Sequence, residues 1–139
     1  MKLTNLQIIN MLNCLDKYKS YKLPQKITYT MYKNNVLLQN EYKIYEMALQ
    51  KLITDYSEHV VKDDEGQVVI DKILNLPKVK DEVHNEFITK LNDLLTLTID
   101  IELCKMNSEN FDYDNKNDNY DVLTNEDMIN LQSILCDVK

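Results

Sequence analysis

Apolar and polar positions recur along this chain with two periods, and these periods predict its elements. A first helix begins at Thr4, whose spacing from Gln7 fits a capping box, and is expected to end near Ser20. Pro24 is placed to begin a second helix, which continues without glycine or proline to about Glu58. At 1.5 Å per residue this second helix is about 50 Å long, so one end is expected to project or to pair with another surface.

The second helix carries an apolar heptad that Asn35 interrupts. The two heptad positions are occupied by Tyr42, Leu49 and Tyr56, and by Met31, Leu38, Tyr45 and Leu52. One interpretation is packing against a returning helix. The other is a seam for self-association or for a partner, because aromatic-rich stripes on a projecting helix can pair. The candidate seam residues are Tyr42, Tyr45, Leu49 and Leu52.

The middle of the chain changes to patterns typical of strands. β-branched residues flank an acidic turn that ends at Gly66, the only glycine, and this predicts a β-hairpin over 60–71 with a positive φ at Gly66. Residues 72–77 are expected to link the hairpin to a return helix over 78–93. Strict alternation of apolar and polar residues then predicts a half-buried strand over 94–103.

The last third of the chain combines an acidic loop with a short helix. The loop is expected over 107–121, and the spacing of Thr124 and Asp127 predicts the start of a C-terminal helix over 124–137. The chain is therefore expected to be a single domain, residues 1–139, with a helical part over 1–59. Its predicted class is helix-dominated α+β: a long antiparallel helical hairpin, a small β-hairpin, one further strand and the short C-terminal helix.

Composition narrows the classes of partner. All 16 basic residues are lysine, so bidentate arginine contacts to phosphate or guanine are not available. Residues 1–59 hold eight lysines against five acids, a net charge of +3, whereas residues 60–139 hold eight lysines against eighteen acids, a net charge of −10. This balance makes nucleic acid an unlikely partner and favours a basic protein surface. No apolar run approaches the length of a membrane span, and no signal peptide is expected.

The most unusual stretch is FDYDNKNDNYD, residues 111–121. It does not fit a calcium loop in either register, because the glycine and the final glutamate of an EF-hand are missing. One interpretation is a solvated loop with loose affinity for cations. The other is a partner-binding segment, in which acidic residues steer association and tyrosines bury area at low entropic cost. Its candidate residues are Asp112, Tyr113, Asp114, Asp118, Tyr120 and Asp121.

Other candidate constellations are weaker. Lysines and tyrosines alternate over residues 16–33, where Tyr18, Tyr21, Tyr29 or Tyr32 could stack on bases. A helix–turn–helix corner with partly buried tyrosines is the simpler interpretation. No glycine-rich phosphate loop, nucleophile elbow or cluster of metal ligands is recognisable, so no catalytic residue, metal or cofactor is predicted. The three cysteines are expected to be buried free thiols in a reducing compartment.

Six segments, in their order and spacing, carry a resemblance over nearly the whole chain. They are KLTNLQIINML, KLPQKITYTMYKN, EYKIYEMALQKLITDY, DEGQVV, LNDLLTLTIDIEL and LTNEDMINLQSIL. Together they resemble a family of small proteins, a domain of unknown function, from tailed bacteriophages and prophages. Residues 108–121 depart from that pattern as an apparent insertion. The resemblance implies action in the cytoplasm of a bacterial host or in the virion, and it implies no activity and no site residue.

Two functional hypotheses follow, and neither makes the chain an enzyme. The first is a phage-encoded protein that acts by protein–protein interaction, binding and inhibiting a host enzyme or an antiphage defence complex through its acidic surface. The alternative is a structural or assembly protein of the virion or tail that uses the long heptad helix. A host or phage protein is the expected partner under both, and a homo-oligomer is expected under the second.

Overall fold

The computed structural model describes residues 1–114 and 119–137, and these are helix-dominated, as predicted. Within them lie four α-helices: α1 (Asn5–Lys17), α2 (Gln25–Asp55), α3 (Asp81–Leu95) and α4 (Asn125–Leu135). Four short strands form two antiparallel pairs: β1 (Lys2–Thr4) with β4 (Thr98–Asp100), and β2 (Ile70–Asp71) with β3 (Leu76–Pro77). The predicted α+β class is confirmed. No helix of the described residues has both the length and the apolar character that a membrane crossing needs.

The chain divides into two compact units, each with a core of its own. The first unit combines Met1–Tyr42 with the chain from Thr98 onward, and the second is Lys43–Leu97. In the first unit, Ile8, Ile27, Leu38, Leu131 and Leu135 are at most 1% exposed. In the second, Tyr45, Tyr56, Val79, Phe87 and Leu91 are buried, and Leu52, Leu76, Val83 and Ile88 pack around Tyr56, Val79 and Phe87.

Side-chain caps fix the start of α1 and α4, as the spacing predicts. The Thr4 hydroxyl accepts a hydrogen bond from the Gln7 N–H at 3.1 Å, and the Gln7 side chain accepts one from the Thr4 N–H at 2.8 Å. Thr124 and Asp127 make the same reciprocal pair, both at 3.1 Å. Each box satisfies two of the N–H groups that a helix start leaves without partners.

The helices end earlier than predicted where a side chain or a backbone partner intervenes. α1 ends at Lys17 instead of near Ser20; Tyr18 is its C-cap, and the Tyr18 side chain is buried in the core. α4 stops at Leu135, two residues short of 137, because Cys136 is extended and forms a parallel bridge with Met106. The predicted loop over 107–121 contains a 3₁₀ turn at Ser108–Phe111.

The predicted strand over 94–103 is much shorter in the structure. Leu94 and Leu95 belong to α3, and the ladder of β4 covers only Thr98–Asp100. Its partner β1 is three residues long, so the ladder has no room for ten residues. The predicted alternation still holds beyond the ladder: Ile101 and Leu103 are buried, and the acidic residues between and before them are exposed.

The predicted hairpin over 60–71 is confirmed around its turn. Gly66 has a φ of 80°, and its N–H donates to the Asp63 carbonyl at 3.0 Å. Lys62 and Val68 form an antiparallel bridge across this turn. The expected linker over 72–77 is instead a second tight turn, because the Asp71 carboxylate accepts hydrogen bonds from two following N–H groups, at 3.0 and 3.2 Å. This turn pairs β2 with β3.

The return helix begins at Asp81 and not at Lys78 as predicted. The N–H and carbonyl of Lys78 bond to Val69 and Val61, both at 2.8 Å, and the Val69 N–H bonds to the Val61 carbonyl at 3.0 Å. Val79 also forms a bridge with Val60. These residues are held in an extended conformation, so α3 starts only after Lys80, with Asp81 and Glu82 in its first turn.

One buried amide connects α2 to the segment after β4. Asn34 is fully buried, and its side chain donates to the Cys104 carbonyl at 2.9 Å and accepts from the Cys104 N–H at 2.7 Å. A side-chain amide can satisfy both backbone groups of one residue in this way. The neighbouring Asn35, which interrupts the heptad in the sequence, is only half-buried.

Candidate protein-binding surface

The acidic segment, residues 111–121, contacts the rest of the first unit at both of its ends. Phe111 is buried in the core, and Tyr113 packs against that core. Near the other end, the Asp121 carboxylate accepts a hydrogen bond from the Lys22 N–H at 2.6 Å, and the Asp121 N–H donates to the Lys22 carbonyl at 2.8 Å. The segment therefore begins at the core of the first unit and ends on the connection between α1 and α2.

The two tyrosines predicted as partner contacts also touch each other. Their rings are edge-to-face, with centroids 5.4 Å apart, and the Tyr113 hydroxyl donates to the Asp121 carbonyl at 3.0 Å. Burial, and then the charge of Asp121, raise the pKa of Tyr113. Asp112 and Asp114 are exposed, whereas Asp118 lies outside the described residues. The structure thus places Tyr113, Tyr120 and Asp121 in one cluster at the surface, with both tyrosines half-buried and Asp121 exposed.

The candidate seam of α2 faces inward. Tyr45 is buried, and Tyr42, Leu49 and Leu52 are half-buried. Tyr42 packs against the core of the first unit, and Leu52 belongs to the core of the second. Two of the four candidate seam residues, Tyr42 and Leu52, therefore pack within their own units.

A second apolar stripe on α2 is exposed. Tyr29, Tyr32 and Val36 are 60%, 57% and 60% exposed. At 3.6 residues per turn they lie roughly half a turn away from the buried Ile27 and Leu38, so α2 is apolar on two opposite sides here. A surface helix normally carries polar residues opposite its core-facing side. We refer to these three residues as the outer face of α2.

The outer face of α2 borders two shallow concavities. One, of about 500 Å³, is lined by Tyr29, Tyr32, Lys33, Val36, Leu37 and Cys104. The other, of about 680 Å³, is lined by Leu23, Gln25, Lys26, Thr28, Tyr29 and Tyr32. The Lys33 ammonium lies over the Tyr29 ring, 4.7 Å from its centroid. Among the described residues that line either concavity there are two lysines and no acid.

A buried hydrogen bond connects α4 to the end of α1. The Tyr18 hydroxyl donates to the Asp127 carboxylate at 2.6 Å, and the Lys17 ammonium lies 3.7 Å from the same oxygen. The hydrogen bond from Tyr18, followed by that from the Thr124 N–H, lowers the pKa of Asp127. Burial raises the pKa of Tyr18. These contacts explain Asp127 as a structural group.

Metal and thiol chemistry receive little support from the geometry. Over residues 1–114 and 119–137, no group of three or more His, Cys, Asp or Glu side chains is placed to hold a metal ion. The three cysteines are free, and burial raises the pKa of the Cys14 and Cys136 thiols. A raised thiol pKa reduces the thiolate fraction and therefore the reactivity of both groups.

Comparison with known proteins gives no match: no protein-family model, no curated protein and no solved structure is similar to this chain. The resemblance to phage and prophage proteins therefore stays a prediction. The contact surfaces of this protein are therefore inferred from its own geometry. The sequence contains the signal for the outer face of α2 as a second apolar stripe, Tyr29, Tyr32 and Val36, offset from the heptad.

Proposed function

We propose that this protein acts without catalysis, by binding another protein through the outer face of α2. The observation that carries the proposal is the exposure of Tyr29, Tyr32 and Val36, each more than half exposed on one side of a helix. Contiguous exposed apolar residues are typical of interaction sites. Tyrosine is enriched at the centres of such sites because it buries a large area with few rotatable bonds.

The surroundings of this face support the same proposal. Val36 and Leu37 line an apolar concavity that can accept an aliphatic side chain, and Lys33 provides a polar edge. An apolar centre with a charged rim is the usual arrangement of a protein–protein interface. The helix beneath is held by the buried Asn34, so the face is presented on a fixed element and not on a loop.

Site-specific photo-crosslinking in bacterial cells tests the proposal. A photoreactive phenylalanine replaces Tyr32 in one variant and Ile129 in a matched control, since Ile129 is also exposed, at 69%, but lies on α4. We expect a discrete crosslinked protein from position 32 that is lost when Tyr29 and Val36 are changed to alanine. Identical products from both positions, or none from position 32, would contradict the proposal.

The acidic-surface hypothesis stays a second candidate, because Asp112 and Asp114 are exposed on a segment attached at both ends. In this hypothesis, the acidic surface binds and inhibits a host enzyme or an antiphage defence complex. The test is to replace both with asparagine, which removes charge and leaves the Tyr113 and Asp121 contacts in place. If steering matters, the association rate with a partner captured by the wild-type chain falls and depends less steeply on salt. An unchanged rate would count against this hypothesis.

A further inference from the structure

We infer that the occupant of the outer face of α2 is an acidic amphipathic helix of a partner protein, an inference that rests on the proposed function. The charges around the face carry it. The first four turns of α2, residues 25–40, contain Lys26 and Lys33 and no acidic residue. Both lysines are exposed, and each lines a concavity beside the face.

The spacing of the exposed side chains fits a helical occupant. Tyr29, Tyr32 and Val36 follow one another at three and four residues, which is the stripe that one helix presents to another. A partner helix with aliphatic residues at the same spacing can place them beside Val36 and Leu37. Asp or Glu on its flanks would then lie near Lys26 and Lys33.

The net charge of −7 does not prevent this contact. At physiological salt, charges more than about 8 Å apart are largely screened from each other. The lysines at the edge of the interface therefore act locally, since no acidic residue of the described chain lines either concavity. Local pairing selects the sign of the partner even though long-range attraction to an acidic partner is absent.

Two other occupants fit less well. A single-stranded nucleic acid would stack bases on open tyrosine faces, but the Lys33 ammonium covers the Tyr29 ring, and the concavity beside it is lined by the aliphatic Val36 and Leu37. A second copy docked face to face would bring Lys26 and Lys33 of both copies to one interface, where like charges repel. The acidic helix avoids both difficulties.

Selection from a random library of 18-residue peptides, displayed against the full chain, tests the inference. The wild-type chain is expected to enrich peptides with net negative charge and aliphatic residues at three- and four-residue spacing. A charge-reversed chain, Lys26→Glu with Lys33→Glu, is expected to enrich net positive peptides. Because both lysines are exposed, this variant should keep its thermal unfolding temperature, which is measured alongside.

The best peptide is then compared on further variants by fluorescence anisotropy. Tyr32→Ala should weaken its binding at least tenfold, and Ile129→Ala should leave it unchanged. The inference is wrong if neither chain enriches peptides, if both chains enrich the same peptides, or if a 20-residue oligothymidine binds more tightly than the best peptide. A dimer in sedimentation that Tyr32→Ala dissociates would identify a second copy instead.

The proposed function can fail separately. If the crosslinked partner is lost with the alanine variants but the enriched peptides are neutral or basic, only the acidic character of the partner is wrong. If no partner crosslinks at position 32, the function itself fails, whatever the peptides show.

Discussion

Two tyrosines with buried side chains differ in what their hydroxyl groups meet. The Tyr18 hydroxyl donates a 2.6 Å hydrogen bond to Asp127. Within the described residues, the Tyr56 hydroxyl meets no acceptor or donor at normal hydrogen-bond geometry. Its interaction with Glu86 and Lys90 on α3, which lowers the pKa of Glu86 and raises the pKa of Lys90, therefore falls short of a well-formed hydrogen bond. Removing the Tyr18 hydroxyl should therefore lower the free energy of unfolding, whereas removing the Tyr56 hydroxyl should leave it unchanged or raise it.

Tyr18→Phe should change how stability depends on pH. The folded chain holds the pKa of Asp127 below its ordinary value, so the unfolded chain binds more protons near pH 4 and below. The stabilisation is present above the ordinary pKa and is lost as pH falls through the folded value. Without the Tyr18 hydroxyl, the free energy of unfolding should fall less steeply below about pH 5.

At pH 7, the loss of this hydrogen bond to an ionised carboxylate should cost about 1.5–3 kcal/mol. Urea unfolding of wild type and Tyr18→Phe at several pH values between 2 and 7 measures both effects. Parallel curves at every pH would mean that Tyr18 does not set the ionisation of Asp127.

Tyr56→Phe should leave stability unchanged or raise it by up to about 1 kcal/mol. A buried hydroxyl without a hydrogen bond costs free energy, whereas the ring packs edge-to-face on Phe87 with centroids 5.3 Å apart and keeps that contact. The same urea unfolding at pH 7, with Tyr18→Phe as the opposite control, measures it. A loss of more than 1 kcal/mol would show that the hydroxyl has a partner in solution.

At the scale of elements, the acidic segment is held by its ends. Asp121→Ala removes the carboxylate that accepts the Lys22 N–H, so we expect a loss of about 0.5–1 kcal/mol in the free energy of unfolding. The matched control is Asp112→Ala, because Asp112 is exposed and its neutralisation leaves the Asp121 contact intact. Equal effects of the two substitutions would mean that the attachment at Lys22 does not stabilise the fold.

Because the acidic segment is attached at both ends, a deletion within it would affect the stability of the fold as well as binding. Deleting residues 112–120 would remove Tyr113, which packs against the core and donates to the Asp121 carbonyl. A binding defect after such a deletion would mix lost contact with lost stability. Charge neutralisation at Asp112 and Asp114 separates the two.

The sequence predicts those elements whose signals are local. The capping boxes at Thr4 and Thr124, the positive φ at Gly66 and the course of α2 are all set by residues within a few positions of one another. The pairing of β1 with β4 joins residues almost one hundred positions apart, and β1 is too short to show alternation. The length of β1 limits the strand predicted over 94–103, and the sequence of residues 94–103 carries no information on that length.

The candidate site was only partly predictable for a related reason. A heptad shows that one side of α2 is apolar, but it does not say whether that side or the opposite stripe is covered. Asn34 and Asn35 look equivalent in the sequence, yet only Asn34 meets the backbone of Cys104. The exposure of Tyr29, Tyr32 and Val36 depends on which residues pack against the other side, and this requires the tertiary structure.

At the scale of the whole molecule, the two compact units differ in the size of their cores. Five apolar residues of Lys43–Leu97 are buried in the described chain, Tyr45, Tyr56, Val79, Phe87 and Leu91, and three of them, Tyr56, Val79 and Phe87, form one packed cluster. The core of the first unit draws on α1, α2 and α4 and on the segment after β4. Because buried apolar area is the main source of stability, the second unit should open at a lower free energy than the first.

Native-state hydrogen exchange on wild type and on Phe87→Ala tests this difference. The substitution removes a side chain that is 2% exposed, and a large-to-small change of this kind costs roughly 3–5 kcal/mol. We expect amides of α3 to lose protection, while amides of α1 and α4 keep theirs, because their core contains no residue of the second unit. The matched control, Leu38→Ala, should lower protection in α1 and α4. If Phe87→Ala lowers protection equally in all three helices, the chain unfolds as one cooperative body, and the small core of the second unit is stabilised by the first.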